Sequence, residues 1–237
     1  MKLNNKLFKK QGYIHIENVI PIDLLKLARR ESINLKRNKV SELGKDREWG
    51  TGSYRRGIEM ASKLNESLMM CYISPFMQQI VPVFLETQKI WLFDDQVIVK
   101  LPNEDYTIPG HYDNQYGPDP EGALNGDYQI INFMWVLTNS SKESGALEIK
   151  NNKTGEWDLI ESKASDIIAI DGNTLYRSSR NTSNKSNAIY ACIFSNKQLI
   201  FKGFYEMKWR FCNCRDGLKN HKLHEEDQEL WQKHSKK

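Results

Sequence analysis

Ile90-Trp91-Leu92-Phe93-Asp94-Asp95-Gln96-Val97-Ile98-Val99-Lys100-Leu101 is the stretch where the hydrophobic period of the chain changes. It is rich in β-branched and aromatic residues and stops at Pro102, which predicts a strand. Similar runs follow at Tyr128–Leu137, Glu143–Ile149 (a turn and then a strand), Asp166–Ile170 with a turn at Asp171-Gly172, Ala188–Phe194 and Leu199–Tyr205. Short strands separated by turn signals at this spacing predict a double-sheet jelly roll or barrel.

Upstream of residue 90 the pattern is mainly helical. Gly12–Ile20 reads as a strand containing His15, which is expected to be packed or hydrogen-bonded. Pro21 opens a helix with Asp23 in its first turn. Leu24, Leu25, Ala28 and Ile33 give that helix an apolar stripe, and Lys26, Arg29, Arg30, Lys36 and Arg37 give it a solvated face. Residues 41–57 read as a long, lid-like loop. Its Arg55 and Arg56 either meet an anionic substrate or are simply exposed. A second helical stretch covers 64–85, with a break near Ser74-Pro75 and methionines as core filler. Helices first and strands later make the class α+β. Residues 1–205 form one domain on this reading. Residues 206–237 form a basic, polar tail, helical from Glu225 to Lys236, with Leu230 and Trp231 as its apolar anchors.

The 237 residues carry a net charge of +4, too modest to indicate a nucleic-acid partner. No apolar run approaches the length of a membrane span, and residues 1–6 lead into no apolar leader core, so the expected setting is the cytoplasm. Four cysteines in a chain this long do not read as a disulfide framework.

Chemistry enters with Pro109-Gly110-His111-Tyr112-Asp113-Asn114-Gln115. In a strand, residues two apart share a face, so His111 and Asp113 would converge on one point. They would supply two of the three ligands of the 2-His-1-carboxylate triad that holds non-heme Fe(II). The competing reading is a surface turn, since Pro-Gly precedes the pair and Asn-Gln follows it.

Residues 7–196 resemble the phytanoyl-CoA dioxygenase family of Fe(II)/2-oxoglutarate oxygenases. Phe8–Ile20 is similar to the family's opening strand, Asp95–Pro102 to its D-Q-x-x-x-K-x-P strand, and His111-Tyr112-Asp113 to its H-x-D motif. Ser144-Gly145-Ala146-Leu147-Glu148 is similar to its G-A-L turn, and Gly172–Ser183 to its distal segment. The resemblance implies a double-stranded β-helix (a cupin-like jelly roll), with Fe(II) on His111 and Asp113. It places Lys100 and Ser178 beside a 2-oxoglutarate cosubstrate.

The G-S-H that the family often places after its G-A-L turn is replaced by Lys150-Asn151-Asn152, and two further positions depart from the family. Tyr176 stands where the distal iron histidine belongs, and Asn187 where the arginine that clamps 2-oxoglutarate belongs. A phenol ordinarily loses its proton only near pH 10, which makes Tyr176 a costly ligand for Fe(II) at neutral pH. A neutral amide at Asn187 cannot replace a bidentate guanidinium. Arg177, Arg180 and Lys185 are candidates for a relocated cation.

The first functional expectation is an Fe(II)/2-oxoglutarate-dependent oxygenase acting on a small molecule, with His111, Asp113 and Tyr176 at the reacting centre. The alternative is a member of the fold that has lost this chemistry: a small-molecule binding protein, a redox-neutral enzyme, or a partner subunit of a related chain. Trp49, Tyr54, Tyr106, Phe133 and Trp135 either line a pocket or pack the core. Cys212, Cys214, His221 and His224 are a further zinc-type group, but their spacings match neither usual ligand pair.

Overall fold

The computed structural model describes residues 3–38, 48–49, 57–59, 61–105, 107–116 and 119–197. The segment containing Tyr54, Arg55 and Arg56, residue Tyr106, the expected strand at 199–205 and the whole 206–237 tail with its Cys and His residues lie outside them.

The amino-terminal part is built from α1 (Asn5–Gln11), β1 (Tyr13–Ile16), α2 (Ile22–Asn38), β2 (Glu48–Trp49), β3 (Gly57–Glu59), α3 (Ala61–Leu64), α4 (Glu66–Tyr72) and α5 (Pro75–Leu85). The rest contains β4 (Trp91–Lys100), β5 (Ile108–His111), a 3-10 turn (Asp113–Tyr116), α6 (Pro120–Leu124), β6 (Ile130–Val136), β7 (Leu147–Lys150), β8 (Trp157–Ile160), β9 (Ile167–Asp171), β10 (Tyr176–Ser178) and β11 (Asn187–Ser195). Seven strands form one sheet in the order β1-β9-β6-β11-β4-β3-β2, and four form a second in the order β5-β10-β7-β8. All pairings are antiparallel. This is the expected α+β jelly roll.

Strand alternation divides the large sheet into two working faces. On β6, Ile131, Phe133 and Trp135 join α2, α4 and α5 in one apolar cluster. Met134 and Val136 point the other way and meet Leu147, Ile149 and Tyr176 of the small sheet. Every residue of β6 is therefore buried. Phe133 and Trp135, expected either in a pocket or in the core, are fully buried core residues.

Local signals set the helix ends. Asn4 caps α1 by accepting from Leu7 N at 3.0 Å, and Gly12 ends it at φ 85°. A Cβ on Gly12 would stand 2.2 Å from Thr174 Oγ1, so only glycine fits the passage into β1. The expected break at Ser74-Pro75 is real: Ser74 Oγ accepts from Met77 N at 3.3 Å and Pro75 occupies the first turn of α5. Pro21 stands one residue ahead of α2, with its carbonyl accepting from Leu25 N.

The solvated face expected on α2 is only partly so. Arg29 Nε donates to Leu137 O, and the buried Lys36 pairs with Glu104 at 3.5 Å. Their long stems cover apolar surface before the charged ends find a partner. The 41–57 stretch is not loop throughout, because Glu48–Trp49 and Gly57–Glu59 pair as strands at the sheet edge. Met77 fills core as expected, but Met70 is half exposed. No single described helix is long and apolar enough to cross a membrane; only the bent pair α4–α5 passes by length and composition, and its buried residues belong to the core.

Candidate functional site

β5 and β10 pair so that His111 lies directly opposite Tyr176. β5 ends at His111, and the chain turns into the 3-10 helix that begins at Asp113. His111 and Asp113 therefore converge through a turn, not by the strand alternation expected from their spacing. The turn is fixed from behind, where Asn114 N donates to Gly172 O at 3.0 Å. It carries Asp113 into the space between the sheets, where the residue is 6% exposed.

Tyr176 donates its hydroxyl hydrogen to Asp113 Oδ1 at 2.7 Å. Its ring packs against the His111 imidazole, with centroids 4.3 Å apart. His111 Nε2 stands 3.9 Å from Asp113 Oδ1, and its Nδ1 lies 2.9 Å from the carbonyl of Pro109. That carbonyl can only accept, so Nδ1 carries a proton, and Nε2 is the ring nitrogen turned towards Asp113. Asn132, on the inner face of β6, donates through Nδ2 to Asp113 Oδ2 at 3.1 Å and lies 3.5 Å from the Tyr176 hydroxyl. Its own carbonyl oxygen is buried without a hydrogen-bond partner. Nearby Asp171 has its carboxyl pushed up, chiefly by burial and in part by the charge of Asp113.

The residues tied to the cosubstrate by resemblance also come together, at the far end of β4 and β11, where Lys100 faces Asn187 in register. The Lys100 ammonium donates to Ser178 Oγ at 2.7 Å, to Gly145 O at 3.4 Å and to Ser179 O. Burial pulls its pKa down to about 8, against the pull of Glu104 in the other direction. The Asn187 amide donates to Ser140 Oγ and Ser144 O at 3.0 Å each, and to Gly145 O at 3.3 Å. None of the proposed substitute cations faces this space. Arg177 points outward from β10, pairs with Glu148 at 2.7 Å and stacks 4.1 Å over Trp157. Arg180 pairs with Asp105 at the surface, and Lys185 is exposed.

These residues do not fit an iron/2-oxoglutarate centre. Ligands at neighbouring octahedral positions, with bonds of about 2.1 Å, lie about 3 Å apart. His111 Nε2 and Asp113 Oδ1 are wider than that. The position of the third ligand holds a phenol whose proton is already given to Asp113. Among the described residues, no three His, Cys, Asp or Glu side chains come together as a metal group. The three hydrogens of the Lys100 ammonium find three protein acceptors, and Asn187 is a neutral amide already engaged with the Ser144-Gly145 turn.

Asn132 is the site residue that sequence reasoning missed. A signal for it exists: it is the single polar side chain in the buried run Ile130–Val136. A separate cleft of about 520 Å³, lined by His15, Glu17, Ser140, Glu161, Lys163 and Asp166, does not include the His111–Asp113 pair. There His15 is hydrogen-bonded to Asp166 at 2.8 Å, as expected of a packed strand histidine.

No protein-family model matches the chain, and no curated protein matches its sequence. Solved structures do share its fold. The non-heme alpha-ketoglutarate-dependent epimerase SnoN from nogalamycin biosynthesis superposes with a TM-score of 0.70 at 13% identity, covering 86% of each chain. EctD from S. alaskensis, in its apoform, gives 0.72 at 14% identity over 87% of this chain and 81% of its own. The alpha-ketoglutarate-dependent carbocyclase SnoK, also from nogalamycin biosynthesis, gives 0.69 at 13% identity over 86% and 87%. EctD has also been solved with bound Fe, and with 2-oxoglutarate and 5-hydroxyectoine. The chain thus has the jelly-roll architecture of non-heme Fe/2-oxoglutarate enzymes.

Proposed function

We propose that this protein is a divergent member of the oxygenase fold whose pocket binds a small molecule without iron/2-oxoglutarate chemistry, as a binding protein or a redox-neutral enzyme. The observation that carries this reading is the Tyr176 hydroxyl, which donates to Asp113 Oδ1 at 2.7 Å where a second imidazole would meet the metal. A buried carboxylate held by neutral donors can orient a polar ligand or accept a proton from it. Descent from the phytanoyl-CoA dioxygenase family is part of the proposal, supported by the order of the five sequence matches. So are a cytoplasmic setting and assembly with a second copy or a related subunit.

The second reading is an active oxygenase. It is favoured by one observation: His111 Nε2 and Asp113 Oδ1 turn towards each other inside the appropriate fold. Anaerobic titration with Fe(II) and 2-oxoglutarate separates the two. The expected result is no visible charge-transfer band and no succinate on admitting oxygen. Iron binding is expected to appear in the double variant Tyr176→His, Asn187→Arg. Stoichiometric iron and a chelate band in the unsubstituted protein would overturn the proposal and establish the oxygenase.

A further inference from the structure

Among the described residues, the His111–Asp113 end of the inter-sheet space is rich in acceptors and poor in cations. Asp113 is buried, yet both of its oxygens are met by neutral donors, the Tyr176 hydroxyl and the Asn132 amide. No lysine or arginine among the described residues forms an ion pair with it. A second carboxylate, Asp171, is close enough for the Asp113 charge to raise its pKa. Beside them, Asn132 is 2% exposed and its Oδ1 has no partner. A buried carbonyl left unsatisfied costs about 1–3 kcal/mol, and a buried carboxylate without a countercharge costs more. Both costs disappear if a ligand brings a positively charged N–H donor.

We infer that the pocket formed by Asp113, Asn132 and Tyr176 receives the primary ammonium group of a small amine. The inference rests on the reading that iron does not occupy this position. The spacing allows it. His111 Nε2 and Asp113 Oδ1 lie 3.9 Å apart, so one nitrogen about 2.9 Å from each subtends about 85°, which bends each N–H···acceptor bond by only about 20° from linear. The same separation is too wide for neighbouring ligands on a metal bonded at about 2.1 Å. Asp113 supplies the opposite charge, Asn132 Oδ1 accepts a second hydrogen, and the Tyr176 hydroxyl, already turned to Asp113, holds the carboxylate in place. His111 is partly exposed and Tyr112 exposed, so a slender group would reach Asp113 from their side.

The test uses the full-length protein in EDTA, titrated with methylammonium chloride at constant ionic strength. The response is read from the side-chain amide signal of Asn132 in a ¹H–¹⁵N spectrum. A saturable shift is expected with methylammonium and none with methanol or acetate, with affinity falling at least roughly tenfold in Asp113→Asn. A non-saturating response to methylammonium, an equal response to methanol, or unchanged affinity in Asp113→Asn would overturn the inference. So would a stronger saturable response to magnesium or calcium in the absence of chelator, which would make this a hard-cation site. If Asp113→Asn does not fold, the contrast between methylammonium and methanol on the unsubstituted protein decides alone. The iron titration is read separately. No chelate band and no methylammonium binding defeats only this inference; a chelate band together with methylammonium binding in EDTA defeats only the iron-free reading.

Discussion

The two ends of the space between the sheets settle their buried polar groups in opposite ways. At the Lys100 end one cation and one amide are spent on protein acceptors: Ser178, Ser179, the Ser144-Gly145 turn and Ser140. At the Asp113 end a carboxylate has neutral donors and no countercharge among the described residues, and Asn132 Oδ1 has no hydrogen-bond partner. The first end is closed on itself as structure. The second is left with capacity for something from outside. Tyr176 and Asn187 carry this asymmetry. The phenol at 176 brings a donor to Asp113, and the amide at 187 offers no cation of the kind a dicarboxylate needs.

The strongest way to break the comparison is at the closed end. Gly145 adopts φ +78°, and a Cβ there would lie 2.3 Å from Ser179 O and 3.0 Å from Lys100 Nζ. Gly145→Ala combines a left-handed backbone with a clash against a carbonyl that the lysine holds, for an expected loss of about 4 kcal/mol. Urea unfolding measures it. A loss below about 1 kcal/mol would mean that the turn moves freely and that this end is not closed structure.

Asp95 sharpens the contrast from the other face of the large sheet. It is 2% exposed and accepts from Ser62 N, Ser62 Oγ and Tyr190 OH at 2.8 Å each. Burial first, then the neighbouring charge of Asp94, push its carboxyl up to about 7 in spite of those donors. An unfolded aspartate titrates near 4. Between the two values the native chain holds a proton that the unfolded chain has released, so this stability is fully present below about pH 4 and is lost as the pH rises to about 7. The expected loss is about 4 kcal/mol. Asp171 shifts in the same direction, so the diagnostic quantity is the difference between the original protein and Asp95→Asn across that window. Parallel profiles would show that three donors alone keep a carboxylate ionised in this core.

Much of the frame was legible in the sequence, because long β-branched runs such as Asp95–Leu101 and Ile130–Val136 carry their own period. The short strands Ile108–His111 and Tyr176–Ser178 were not. Four and three residues containing Pro-Gly or Arg-Ser show no period, and only their pairing with each other makes them strands. His111, Asp113 and Tyr176 could be placed together by resemblance, but the hydrogen bond between Tyr176 and Asp113 could not, since it depends on a 3-10 turn that local sequence does not specify. Lys36 misled for a related reason. On a helix it reads as surface, and Glu104, distant in sequence, draws it inward.

The smallest expected effect on stability is also the most discriminating. Asn132→Leu keeps the approximate shape of the side chain and removes both of its polar atoms. The lost donor to Asp113 Oδ2 costs about 2 kcal/mol, as a hydrogen bond to a charged group. Removing the unsatisfied Oδ1 returns a similar amount, since that carbonyl is buried with no partner. Unfolding free energy is therefore expected to change by less than about 1 kcal/mol, while affinity for methylammonium, followed in this variant from the backbone amide of Asp113, falls roughly tenfold with the loss of one acceptor. At a closed end like that of Lys100 the outcome would be reversed, with a large loss of stability and no ligand effect. A destabilisation above about 3 kcal/mol with unchanged methylammonium affinity would place Asn132 among the structural groups and erase the difference between the two ends.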